Sequence, residues 1–267
     1  MSRLVSALFA RAALLAFFCV AIATTRADAQ SLPMEASAPA SARQMFEFSA
    51  GADAAAQSWS TYGALTTALY GDIRENGYRL RVQGGYGDYR YARFDADPAG
   101  PGKLRSDFLG EQTSINALFG YQWAIGSTTL KVYAGVAVED HRLSSRPESY
   151  LDIDDNNAVQ GQKTGAKVVI ETWTRLADWG FFQLDANWSQ PFETYSGRVR
   201  LGQFLGGGWS AGLEAAAFGN LDYDGGRAGA FVRYDWQGAE ISVSGGLDGN
   251  LNGIESGYAS IGLTTRF

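Results

Sequence analysis

The chain has 267 residues, with 33 glycines, 15 Phe, 13 Tyr and seven Trp but only six prolines, a balance that suits sheet with many tight turns and excludes a long helical bundle. The formal net charge is −6, and it becomes about −8 once the basic residues 1–29 are set aside. Such a chain lacks the cationic face that a general nucleic-acid binder needs, so nucleic acid is excluded as the partner.

Residues 1–29 read as a cleaved signal peptide. Arg3 and Arg11 make a basic start, the apolar run 12–23 is short for a bilayer span, and Ala27, Asp28 and Ala29 form a small-residue cleavage pattern before Gln30. The one cysteine, Cys19, follows Ala16, Phe17 and Phe18, which is not the pattern of a lipidation site. It is expected to leave with the signal, so the mature chain forms no disulfide. Residues 30–43, rich in Ala, Ser and Pro without periodicity, read as a flexible leader. Residues 44–267 then form one domain.

From Met45 onward, segments of alternating polarity are separated by Gly, Asp and Asn clusters. The first two are expected at 46–52 and 59–70. In the third, Tyr78, Leu80, Val82, Gly84 and Tyr86 share one face and Arg79, Arg81, Gln83 and Gly85 the other. The fourth runs over 115–123. The fifth sets Leu130, Val132, Ala134, Val136 and Val138 against Lys131, Tyr133, Gly135, Ala137 and Glu139. The sixth spans 166–174, and the seventh sets Phe182, Leu184, Ala186 and Trp188 against Gln183, Asp185, Asn187 and Ser189. Segments at 195–204 and 209–218 follow. The tenth sets Ala228, Ala230, Val232 and Tyr234 against Arg227, Gly229, Phe231 and Arg233, and the last two are expected at 239–245 and 258–267.

Alternation of this kind also fits a soluble β-sandwich. Three features favour an all-β, transmembrane up-and-down antiparallel barrel of about twelve strands. Connections alternate between short turns, near 71–76, 124–127, 177–178, 205–208 and 235–238, and longer loops such as 92–106 and 141–163. Apolar faces end in aromatics, among them Tyr78, Tyr86, Tyr121, Trp123, Trp188, Trp209 and Tyr234, where an interfacial girdle belongs. The chain stops on an alternating strand ending in Phe267, which resembles the terminal signal of outer-membrane barrels. A closed barrel pairs every backbone group without strongly apolar strands, in keeping with a mean hydropathy of −0.16. The expected location is the bacterial outer membrane, with membrane lipid as the surrounding partner and both termini on the periplasmic side.

The segments RVQGGYGDYRY (81–91), ALFGYQW (117–123), LKVYAGVAVEDHRLS (130–144), TYSGRVRLG (194–202) and LEAAAFGNLDYDGGRAGAFV (213–232) resemble the cellulose biosynthesis protein BcsS family of proteobacteria. The resemblance implies an outer-membrane accessory of cellulose production or export, with cellulose or its secretion machinery as partner, and it brings no catalytic residues.

The same register turns a set of charged and aromatic residues into the lumen: Arg79, Arg81, Lys131, Tyr133, Glu139, Lys167, Glu171, Trp173, Arg198, Arg200, Glu214, Arg227 and Arg233, together with Glu47, Arg175, Asp185, Phe231, Glu240, Tyr258 and Arg266. Two arrangements fit that list. In one, salt bridges plug a narrow barrel and hold it rigid. In the other, a hydrated passage is lined by aromatic faces able to stack on sugar rings.

Catalysis finds little purchase. His141 is the one histidine, with Ser144 and Ser145 nearby, but on an extended strand His141 and Ser144 point to opposite faces and no G-x-S-x-G turn exists. Asp248, Asn250, Asn252 and Gly253 begin like a calcium loop, and Asp152, Asp154, Asp155 and Asn156 form a second acidic cluster. Position twelve is Ala259 in one and Lys163 in the other, where a bidentate Glu belongs, so both read as turn chemistry and no metal or cofactor is expected. The expected function is a non-enzymatic accessory to cellulose secretion. A passive pore for small anionic or sugar solutes and a rim-sited acyl hydrolase are the alternatives.

Overall fold

The computed structural model describes residues 43–96, 103–145, 159–250 and 253–267. Twelve strands follow in order: β1 Phe46–Ala55, β2 Ser58–Ala68, β3 Gly77–Ala96, β4 Lys103–Ile125, β5 Thr128–Ser145, β6 Gly161–Leu176, β7 Gly180–Ser189, β8 Tyr195–Gly206, β9 Trp209–Gly219, β10 Asp224–Trp236, β11 Ala239–Asn250 and β12 Gly253–Arg266. Each pairs antiparallel with its sequence neighbours, and β12 closes on β1 through pairs running from Glu47–Arg266 to Ala55–Tyr258. The result is a closed up-and-down barrel with no free edge, as lipid requires. The expected signal peptide, 1–29, and all but Arg43 of the expected leader lie outside the described residues.

The polarity alternation becomes two surfaces. Leu80, Val82, Ile115, Phe119, Val136, Leu213, Val232, Val243 and Ile261 are exposed on the outer wall, while Arg79, Arg81, Lys167, Arg200 and Glu214 on the opposite parity are buried inside. Aromatic clusters bound the outer apolar band. Near the short-turn end, Tyr121 packs on Tyr78 and Trp123 at centroid distances of 4.9 and 4.7 Å, and Tyr234 packs on Trp209 at 4.7 Å. Toward the other end, Trp59 packs on Tyr86 at 5.5 Å. Tyr78 and Tyr86 stand eight residues apart on β3, roughly 26 Å along a strand and roughly 20 Å after tilting, close to the height of an outer-membrane apolar band.

The wall is uneven. β1 and β2 have 10 and 11 residues, enough to cross a bilayer, whereas β3 and β4 have 20 and 23. The expected loops 92–106 and 141–163 are therefore shorter than the sequence suggests, because strand continues to Ala96 and Ser145 and resumes at Lys103 and Gly161. Beyond the bilayer the outer face has no need to be apolar: Arg90 and Arg142 are exposed there, and the alternation that marks a strand in sequence fades.

At the short-turn end, periplasmic by the rule for such barrels, Gly126, Gly207, Gly208 and Gly238 take positive φ in tight hairpins. The eight-residue connection between β2 and β3, 69–76, instead folds under the barrel. Ile73 is 3% exposed and its N–H donates to the Gln44 carbonyl, drawing the start of the described chain against the same mouth.

Candidate functional site

The lumen is the site, and a connection folds inward at each of its two ends. Under the periplasmic mouth, the fully buried Arg79 guanidinium donates to the Tyr78, Asp72 and Ile73 carbonyls at 3.0, 3.2 and 3.1 Å. Gln122 donates to the Ile73 and Glu75 carbonyls at 3.0 Å, so two side chains from β3 and β4 satisfy a turn that would otherwise bury bare carbonyls. At the opposite mouth a 3-10 turn, Pro191–Glu193, tucks Phe192 inward with φ +53°. Phe192 is 2% exposed, meets the His141 ring edge-on at 4.6 Å, and receives Lys163 Nζ over its face at 4.3 Å. Thr194 just after the turn donates to Glu139 Oε2 at 2.9 Å.

Between the mouths the charged side chains form two clusters. One joins β1, β3, β5, β6 and β12: Glu171 takes a bidentate pair from Arg81, and Lys131 Nζ lies 2.9 Å from Glu47 and 3.8 Å from Glu171. Arg266 Nε donates to the other Glu47 oxygen at 2.8 Å, and Arg81 also stacks 4.1 Å over the Tyr133 ring. The second cluster crosses β8 to β12. Arg200 pairs with Glu214 at 2.8 Å, Tyr258 donates to the second Glu214 oxygen at 2.6 Å, and Arg227 binds both Asp248 at 2.8 Å and Asp53 at 3.2 Å. Charges withdrawn from water persist only when paired and hydrogen-bonded in this way.

An aromatic block fills the periplasmic half beside them. Phe181, wholly buried, stacks on Trp173 at 5.9 Å and contacts Phe204 and Phe231 at 5.5 and 6.0 Å, while Arg233 and Arg200 lie 4.1 and 4.8 Å over Phe181 and Phe231. Gly202 makes this packing feasible: a Cβ there would fall 2.4 Å from the Phe181 ring. Arg198 pairs with Asp185 at 3.1 Å, and Lys167 is buried on the β6 wall.

The thirteen candidate lumen residues lie on the inward parity of their strands; Arg198 and Lys167 stand apart from the mouths, the two clusters and the aromatic block that hold the others. Sequence reading missed Phe181, Asp53 and Asp248, each just beyond a strand end it had cut short, Phe204, the last residue of the segment expected at 195–204, and Gln122 and Phe192, whose roles depend on connections folding inward. Asp248 corrects the turn reading: it stands in β11 with its carboxylate on Arg227, so the calcium-like run is interrupted by strand and by an ion pair. The second acidic cluster, 152–156, lies outside the described residues. His141 faces inward against Tyr89 and Phe192, while Ser144 is exposed and donates to the Leu109 carbonyl.

Among the described residues, a polar cleft of about 80 Å³ lies between β7–β8 and the β1, β2, β11 and β12 wall, with Asp53, Tyr62, Arg198, Glu240, Ser260 and Thr264 among its lining. Pockets for drug-sized ligands occupy roughly 300 to 1,000 Å³, so this cleft is the size of a group of waters and not of a polymer channel.

A family model described as "Cellulose biosynthesis protein BcsS" matches residues 48–267. The chain belongs to the BcsS family. This BcsS protein is therefore an outer-membrane barrel related to cellulose biosynthesis. Comparison with curated proteins gives no match. Among solved structures, the KdgM porin is similar at 9% identity and TM-score 0.46, covering 83% of this chain and 99% of that one. The transport unit of the autotransporter AIDA-I from Escherichia coli is similar at 10% identity and TM-score 0.47, covering 89% and 94%. The translocator domain of the autotransporter NalP from Neisseria meningitidis gives 10% and 0.46, covering 98% of both chains.

Proposed function

We propose that this BcsS protein is a non-enzymatic accessory of cellulose secretion, organising the export machinery or the nascent fibre at the outer membrane without serving as the conduit. The observation that supports the reading is the crowded interior: among the described residues, two ion-pair clusters and an aromatic block occupy much of the lumen. A glucan passing through needs a continuous wide bore, and opening one here would separate buried charges from their partners, at several kcal/mol per pair. The absence of a catalytic role is part of the same proposal. His141, the sole histidine, spends its ring on Tyr89 and Phe192, away from Ser144.

Deleting the gene should lower extracellular cellulose while synthase activity in isolated inner membranes is unchanged, because polymerisation takes place at the other membrane. Unchanged cellulose output in the deletion strain would remove the cellulose role altogether.

A further inference from the structure

The cleft carries chemistry that the accessory role does not require. Tyr62 lies on the inward parity of β2, yet 41% of its surface is exposed, whereas Arg81 on the adjacent β3 is almost wholly covered. Its ring lies across Gly51, where an added Cβ would fall 2.6 Å from the ring, and its hydroxyl reaches toward Gly262. Two glycines on β1 and β12 thus make room for an aromatic ring laid along the wall. β1 and β2 are also among the shortest strands, so the barrel is lowest beside this ring.

The polar lining is balanced. Two carboxylates, Asp53 and Glu240, stand against two guanidiniums, Arg198 and Arg200, and Ser260 and Thr264 add hydroxyls. Arg198 Nε is buried without a hydrogen-bond partner, leaving one donor unspent. An anion or a cation entering here would find as much repulsion as attraction. A neutral molecule with many hydroxyls can donate to the carboxylates and accept from the guanidiniums at once, replacing the waters it displaces bond for bond. An exposed aromatic face beside such groups is the surface on which the C–H face of a pyranose stacks.

We propose that the exposed face of Tyr62, at the rim of this cleft, stacks one neutral pyranose unit, the end residue of a glucan or short oligosaccharide, whose hydroxyls replace water in the cleft and meet Arg198 and Asp53. The choice of a glucan rests on the accessory reading above; the neutral-sugar chemistry does not. The Tyr62 face takes one ring and the cleft of about 80 Å³ only its hydroxyls, so the protein holds a chain end and does not thread it.

The test is calorimetric titration of the purified barrel in detergent micelles with cellotetraose, with an oligogalacturonate of equal length as the anionic comparison. Saturable binding of cellotetraose is expected, weakened roughly tenfold or more by Tyr62→Ala and by Arg198→Gln. Gly51→Ala, which displaces the ring without removing it, should weaken binding as well while heat-modifiable migration of the folded barrel persists. Absence of saturable cellotetraose binding, equal affinity in the wild type and Tyr62→Ala, or tighter binding of the anionic oligomer would each overturn the proposal. Because binding is read on isolated protein, its loss leaves the deletion phenotype standing, and a deletion strain with normal cellulose leaves the binding standing.

Discussion

Arg200 on β8 and Glu214 on β9 meet inside the barrel with Nε 2.8 Å from Oε2, their side chains only 4% and 6% exposed. Each is the reason the other can be charged there. Removing one partner strands a buried ion, and about 3 to 5 kcal/mol is the usual cost. Arg200→Ala and Glu214→Ala should each destabilise the barrel by that amount in urea unfolding from lipid vesicles. The paired replacement Arg200→Met with Glu214→Leu should cost less than either single change. Singles no costlier than the pair would show that the ion pair does not hold the lumen together.

The face assignment has its own test at the bilayer midplane. Val136 on β5 is in register with Ala117 on β4, which pairs with Val82, midway between Tyr78 and Tyr86. Val136→Arg should therefore cost about 2 to 4 kcal/mol, the range for a cation at the midplane on the lipid side. Ala64, partnered by Gln83 at nearly the same height, faces the less crowded part of the lumen, and Ala64→Arg should cost markedly less. Equal costs would reverse the assignment. Ala137 is unsuitable as the inward comparison: it is 0% exposed, and an arginine there would overpack the interior.

The strand faces were legible because lipid on one side and charge on the other impose the alternation seen from Tyr78 to Tyr86 and from Leu130 to Glu139. Outside that band the constraint lapses. The extensions of β3 and β4 toward Ala96 and Lys103 are polar on the outside, as Arg90 shows, and so looked like loop. Ile73 and Phe192 are single apolar residues in polar connections, and nothing local says that they turn inward; tertiary closure of the mouths decides it. Phe181 sits at the start of β7, one residue before the alternation that begins at Phe182, and so falls outside the pattern.

The periplasmic turn should respond to acid in a defined direction. Partial burial opposes ionisation of Asp72, but the Arg74 side chain and the Gln44 and Arg74 backbone N–H groups outweigh it and hold the carboxyl at about 2, below its ordinary 3.8. A depressed value means that the folded turn gains from Asp72 fully above pH 3.8 and loses that gain as pH falls through about 2. Amide exchange at Gln44 and Arg74 should accelerate over that window, and Asp72→Asn should remove the pH dependence. A carboxyl that titrates at or above 3.8 by NMR would contradict the contacts drawn here.

Phe192 turns into the lumen at its outer end from a conformation that residues other than glycine adopt reluctantly, with φ +53°. Phe192→Gly should relieve that strain and remove the stopper together. Small-ion conductance in planar bilayers should rise while the barrel stays folded. Conductance identical to the wild type would mean that the turn is not a closure.

The measurement closest to the central claim is swelling of proteoliposomes containing the wild-type barrel in an isosmotic solution of cellotetraose. A barrel that assists cellulose secretion without conducting the polymer, its lumen filled by the Glu47–Lys131–Glu171–Arg81 and Arg200–Glu214–Tyr258 clusters, should give no more swelling than protein-free vesicles. Rapid swelling that depends on the protein would show a glucan chain passing through the lumen and would contradict the account.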